Sequence, residues 1–87
     1  MKQLQLSVPA SLQKRKELHI GRLIREKAET EGYSACRLAK RLHCDRSNIY
    51  KLYRKRTIDA EFLLQISIAL NYDFFRYYSD CFRQDTE

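Results

Sequence analysis

Residues 37–56 read RLAKRLHCDRSNIYKLYRKR, and this stretch decides the fold. Eight Lys or Arg share it with one acid, Asp45. Two short apolar patterns at helical spacing, Leu38/Ala39/Leu42 and Ile49/Leu52/Tyr53, flank the polar His43-Cys44-Asp45. Two short helices so close together must cross steeply, which is a helix-turn-helix arrangement. The corner needs a small residue where the helices meet, and Ala39 supplies it. It needs an apolar residue inside the second helix, and Ile49 supplies that. It also needs a turn residue at positive φ, where glycine sits without penalty. His43 occupies that place and is expected to be left-handed, a conformation that histidine adopts more readily than most residues.

Working outward, Ile49, Leu52 and Tyr53 turn the second helix inward, so Arg46, Ser47, Tyr50, Lys51 and Arg54 face out. Arg and Lys can bond the O6/N7 edge of guanine, and Ser can bond several base edges. Arg46 and Ser47, in the first turn, and Lys51, one turn on, are expected to read bases. Tyr50 joins them as a candidate reader. Asn48 either touches a base or bonds Asp45 in a cap. Arg37, Lys40, Arg41, Arg54, Lys55 and Arg56 are better suited to phosphates, as is Ser34 at the start of helix 34–42.

The rest of the chain reads as helix. Only two Gly and one Pro occur in 87 residues, which argues against a loop-rich or all-β design. The length suits one small domain. A first helix is expected over Arg15–Glu31, with Ile20, Leu23, Ile24 and Ala28 as its apolar stripe and Gly32 as its stop. Ser34, Asp45 and Asp59 are expected to cap the second, third and fourth helices. Ile58 can staple onto Leu63. Leu63, Ile66, Ala69 and Leu70 form the inner face of the fourth helix, and Asn71 ends it in a left-handed turn. Asp73 opens a short last helix carrying Phe74, Phe75 and Tyr78. The expected organisation is an arm over 1–14, the domain over 15–79 and a polar tail over 80–87. In the arm, Leu4, Leu6 and Val8 alternate with polar residues as a strand does; either it pairs with another surface or it is a mobile arm.

Charge is segregated along the chain. Residues 14–56 hold 14 basic and 5 acidic residues, whereas residues 57–87 hold 2 basic and 6 acidic ones. A polyanion would be attracted to the first region and repelled by the second. Solubility alone does not require such segregation. The three cysteines, Cys36, Cys44 and Cys81, include no CxxC pair. They fit a reducing compartment better than a disulfide framework. Their spacing with His43 and His19 matches no usual zinc pattern, so no metal is expected, and Cys36 and Cys44 read as partly buried fillers. No apolar run reaches the roughly 18 residues of a membrane span, and the start lacks the apolar core of a secretory signal. A cytoplasmic, nucleoid-associated protein with neither cofactor nor effector is expected.

The segments IGRLIREK, LAKRLHCDRSNIYKLY and IDAEFLLQISIALNYDFF together resemble the phage-repressor-like (lambda Cro/repressor, Xre-type) helix-turn-helix family. The likeness covers about 60 residues, roughly His19 to Ser79. It implies an all-α, compact five-helix DNA-binding domain whose third helix enters the major groove of double-stranded DNA. It also implies transcriptional regulation and, as in many members, binding as a homodimer. On this chain Arg46, Ser47 and Lys51 fall at the base-reading positions, with Arg54 near the backbone. His43 in place of glycine and the arm before the first helix depart from the family pattern.

Two other functional classes bear on these residues. Tyr72, Phe74, Phe75, Tyr77, Tyr78 and Phe82 exceed what one short helix can bury. They either close the core or form a dimer surface, with the arm as another candidate dimer contact. The same excess would suit a protein-interaction module, antitoxin-like or for assembly, on the same scaffold. An enzyme is not expected, since no nucleophile stands beside an oriented base in the pattern.

Overall fold

The computed structural model describes residues 18–86. Five helices occur among them: α1 Ile20–Thr30, α2 Ala35–Arg41, α3 Arg46–Tyr53, α4 Ala60–Leu70 and α5 Phe75–Thr86. No strand occurs among the described residues. The expected all-helical class is therefore observed. The arm over 1–14, with its strand-like alternation, and residues 15–17 of the expected first helix lie outside the described residues.

The apolar stripes meet in one core. Ile20, Ile24 and Ala28 of α1, Leu38 and Ala39 of α2, Ile49 and Leu52 of α3, and Leu63, Ile66, Ala69 and Leu70 of α4 are buried together. Phe74, just before α5, is fully buried and closes this core from below. Leu23, Leu42, Tyr53 and Ile58 pack half-buried around it. Burying a large aliphatic or aromatic side chain is worth about 1.5–3 kcal/mol each, so these residues dominate the stability of the domain.

Three helices end in one hydrogen-bond pattern. After α1 the Tyr33 amide donates to the Ala28 carbonyl at 2.8 Å and the Gly32 amide to Glu29 at 3.1 Å. After α2 the Cys44 amide donates to Ala39 at 3.0 Å and His43 to Lys40 at 3.3 Å. After α4 the Tyr72 amide donates to Ser67 at 2.9 Å and Asn71 to Ile68 at 3.2 Å. Each is a Schellman motif, which needs one left-handed residue. Gly32, His43 and Asn71 take that role with φ of 80°, 57° and 51°. His43 is left-handed as expected, at a cost of about 1 kcal/mol for a residue with a Cβ.

Helix starts differ more from expectation. Ser34 Oγ accepts the Arg37 amide at 3.1 Å and Asp59 Oδ1 accepts the Phe62 amide at 2.7 Å, both as expected. Asp45 does not cap α3 with its side chain. Among the described residues α1 begins at Ile20, and the expected helix does not run through Leu18 and His19, because His19 is extended (φ −148°) and its Nδ1 accepts the Arg22 amide at 3.0 Å. The last helix is longer than expected and runs through Thr86. Cys81, 7% exposed, anchors its second half against the fold.

Candidate nucleic-acid interface

Helix α3 is fixed at both ends by backbone bonds. At its start, the α2 terminal motif turns the chain through His43 and Cys44. At its end, the corner after Tyr53 meets the start of α1: the Ile20 amide donates to the Arg56 carbonyl at 3.0 Å and the Gly21 amide to the Lys55 carbonyl at 2.9 Å. The first amides of a helix have no partners within it, and the last carbonyls of a helix are equally orphaned. Here the first two α1 amides are satisfied by carbonyls of the short segment that follows α3. Gly21 makes the approach possible. A Cβ there would lie 2.4 Å from the Leu52 carbonyl oxygen and 2.6 Å from those of Tyr53 and Lys55. His19 reinforces the junction, since its amide donates to the Tyr77 hydroxyl of α5 at 3.3 Å.

This framing leaves one side of α3 in solvent. Arg46, Ser47, Asn48, Lys51 and Arg54 are exposed, and Tyr50 is 48% exposed. Arg46, Ser47, Tyr50, Lys51 and Arg54 share one face of the helix by its 3.6-residue period. The Tyr50 ring stands edge-on to Tyr53, centroids 6.4 Å apart. Asn48 lies on another flank, where it borders a groove with Cys44, Lys55 and Phe62. Of its two readings, the cap with the Asp45 side chain does not form; only its backbone amide bonds the Asp45 carbonyl, at 2.9 Å. The opposite groove runs between Tyr50 and Tyr53 of α3, Arg25 and Glu29 of α1, and Tyr33 and Ser34 before α2.

The candidate phosphate contacts surround this face. Arg37, Lys40, Arg41, Arg54, Lys55 and Arg56 are exposed, as is Ser34, whose Oγ is engaged in the α2 cap. Among the described residues the ion pairs are Arg25–Glu29, Lys27–Glu31 and Arg83–Asp80, all outside α2 and α3. Among the described residues, Arg37, Lys40, Arg41, Arg46 and Lys51 of α2 and α3 therefore form no ion pair with a carboxylate. These groups lie at the surface, so their positive potential is projected into solvent. The Arg37 guanidinium lies 4.4 Å from the Tyr33 ring centroid and that of Arg41 5.6 Å, an arrangement not foreseen from the sequence. The spacing Tyr33, Arg37, Arg41 is the signal that was there to be read.

Burial, and then the Asp45 charge, push the Cys44 thiol above its ordinary range, which keeps it protonated. Cys36 is exposed, contrary to the expectation of a filler, because it stands one turn before Lys40 on the outward side of α2. Among the described residues no three His, Cys, Asp or Glu side chains gather where they could hold one metal ion. No described helix is long and apolar enough to cross a membrane.

No family model matches the chain, and no curated protein and no solved structure matches it either.

Proposed function

We propose that the chain is a sequence-specific double-stranded DNA-binding regulator of transcription, built as a lambda-repressor-like helix-turn-helix domain that places α3 in the major groove. The observation that carries this reading is the cationic face of α2 and α3, exposed and unpaired with carboxylates among the described residues. Arg46, Ser47 and Lys51 are the proposed base readers, with Tyr50 and Asn48 at the margins of the same contact. Ser34, Arg37, Lys40, Arg41, Arg54, Lys55 and Arg56 are the proposed phosphate contacts. The reading calls for a nucleoid-associated location in the cytoplasm and for no cofactor.

The test is binding to duplex DNA across a salt series, followed by selection from a random duplex pool. Each phosphate contact contributes a slope of about −0.9 to log affinity against log salt. Arg46→Ala should cost about 1–3 kcal/mol on the selected site and relax preference at one base, while Lys55→Ala should weaken all sequences alike. Absence of binding at low salt, or a flat salt response, would remove the reading.

A second copy is the proposed protein partner. Of the C-terminal aromatics, Phe74 is consumed by the core and Phe75, Tyr77 and Tyr78 are half-buried against it. Tyr72 and Phe82 remain 39% and 67% exposed, and Leu64 and Ile68 on α4 are 49% and 68% exposed. That apolar surface supports either a homodimer or the second reading, a protein-interaction module. Sedimentation with and without DNA separates them: dimerisation linked to a symmetric operator supports the first. The arm, the other proposed dimer contact, lies outside the described residues.

A further inference from the structure

We propose that the Tyr33 ring is a fixed platform that holds the guanidinium groups of Arg37 and Arg41 as a pre-set pair against the phosphate backbone of DNA; this rests on the DNA-binding reading above. Tyr33 follows the left-handed Gly32, and its amide is tied to the Ala28 carbonyl at 2.8 Å, so the root of the ring is part of the α1 terminus. The ring is half-buried and packs against the core. Arg37 and Arg41 stand one turn apart on the outer side of α2, 4.4 and 5.6 Å from the same ring. Two like charges at that helical spacing repel each other. The electron-rich ring offsets that repulsion and favours guanidinium over ammonium. Neither arginine has a carboxylate partner among the described residues. Tyr33 also borders the groove that Tyr50 of α3 lines from the other side. The pair therefore flanks the face that carries the proposed base readers.

The function of such a platform is pre-organisation. A free arginine loses rotamer freedom when it engages a phosphate, whereas one already held by a ring has lost it in advance. Tyr33 is thus a positioning residue that acts through Arg37 and Arg41, without touching a base. Its effect must be uniform across sequences, since phosphate contacts carry no direct sequence information.

The experiment uses the full chain and a labelled mixed-sequence DNA duplex in a low-salt titration. Tyr33→Leu should bind about three- to tenfold more weakly on every duplex, the size expected from ordering one or two long side chains on binding. Tyr33→Phe, which keeps the ring, should bind as the wild type does. In an R37A/R41A background, already weakened and with a shallower salt slope, Tyr33→Leu should cause no further loss. Circular dichroism melts of each variant establish that the folded chain is compared. An equal loss from Tyr33→Leu in both backgrounds, or no loss in the wild type, overturns the platform while leaving the DNA-binding reading in place. Failure of the wild-type chain to bind the duplex at all overturns both.

Discussion

Replacing Gly21 by alanine sets helix propensity directly against packing. Gly21 lies in the first turn of an exposed-to-buried helix, and on propensity alone alanine should stabilise it by up to about 1 kcal/mol. The added Cβ, however, would meet three carbonyl oxygens, those of Leu52 and Tyr53 in the last turn of α3 and of Lys55 just beyond it, at 2.4 to 2.6 Å. All three are backbone atoms, so none can rotate away. Relief requires the start of α1 to withdraw from α3 by roughly 1 Å, which is the typical cost of overpacking, about 1–3 kcal/mol. That withdrawal also stretches the Ile20–Arg56 and Gly21–Lys55 bonds, now 3.0 and 2.9 Å, beyond useful length. Each such bond is worth about 1 kcal/mol net. The penalties outweigh the propensity gain, and the expected net destabilisation is about 2–5 kcal/mol. For a domain of this size, each kcal/mol lowers the melting temperature by about 4–8 °C. Urea denaturation followed by circular dichroism measures the change. Gly32→Ala is the internal control: its Cβ would meet nothing within 4 Å, and only the φ of 80° opposes it. A Gly21→Ala chain as stable as the wild type, or more so, would show that α1 does not abut the end of α3 and would refute the picture of a clamped α3.

Further outcomes follow from the same geometry. His43→Gly should stabilise the fold by about 1 kcal/mol, because glycine takes the left-handed turn without strain, and should leave DNA affinity unchanged; thermal melts and a duplex titration check both parts. Asp59→Ala should cost about 1 kcal/mol through the lost cap, whereas Asp45→Ala should cost clearly less. Removing the Asp45 charge should also tighten duplex binding, measurable at low salt. Stability should fall on the alkaline side, above about pH 9. Burial raises the ionisations of Cys44, Tyr53 and Tyr78. The folded chain therefore holds protons that the unfolded chain releases first, and rising pH favours unfolding until the folded groups ionise too. Denaturation midpoints measured from pH 8 to pH 11 should decline; a flat profile would contradict the burial of these three groups.

What the sequence disclosed was governed by local rules. The apolar stripes of α1 to α4 repeat at helical spacing, and a helix buries whichever stripe it has. Gly32, His43 and Asn71 each follow a last helical turn, the one place where a left-handed residue completes the hydrogen bonds. Ser34 and Asp59 cap through their own third neighbour. The failures are contacts between parts distant in sequence. His19 caps α1 in place of the usual Ser, Thr, Asp or Asn, and its own amide reaches Tyr77 on α5. Nothing near His19 announces that partner. Gly21 looks like a weak point of a helix until the α3 carbonyls stand opposite it. Ser67 belongs to the buried side of α4 because its Oγ accepts the Phe74 amide at 3.3 Å, a bond to the next element. The last helix could have been read further, since Tyr78 and Cys81 continue a stripe from Phe74. The intervening polar residues masked it.

The face of α3 depends on these long-range contacts as much as on its own residues. A helix of eight residues is too short to hold its shape alone in water, so its order must come from its surroundings. Ile49 and Leu52 secure its inner side, but two buried side chains leave the helix free to rock about its axis. The α2 terminal motif and the α1 amides remove that freedom, one at each end. On the proposed DNA-binding reading such restraint matters, because base-edge contacts tolerate little displacement, and side chains ordered in advance do not have to be ordered on binding. His43 and Gly21 are then two halves of one device. One accepts backbone strain to fix the start of α3, and the other gives up a side chain to fix its end. Their substitutions should consequently differ in kind: relief of strain at His43 leaves the helix where it is, while a methyl group at Gly21 moves it.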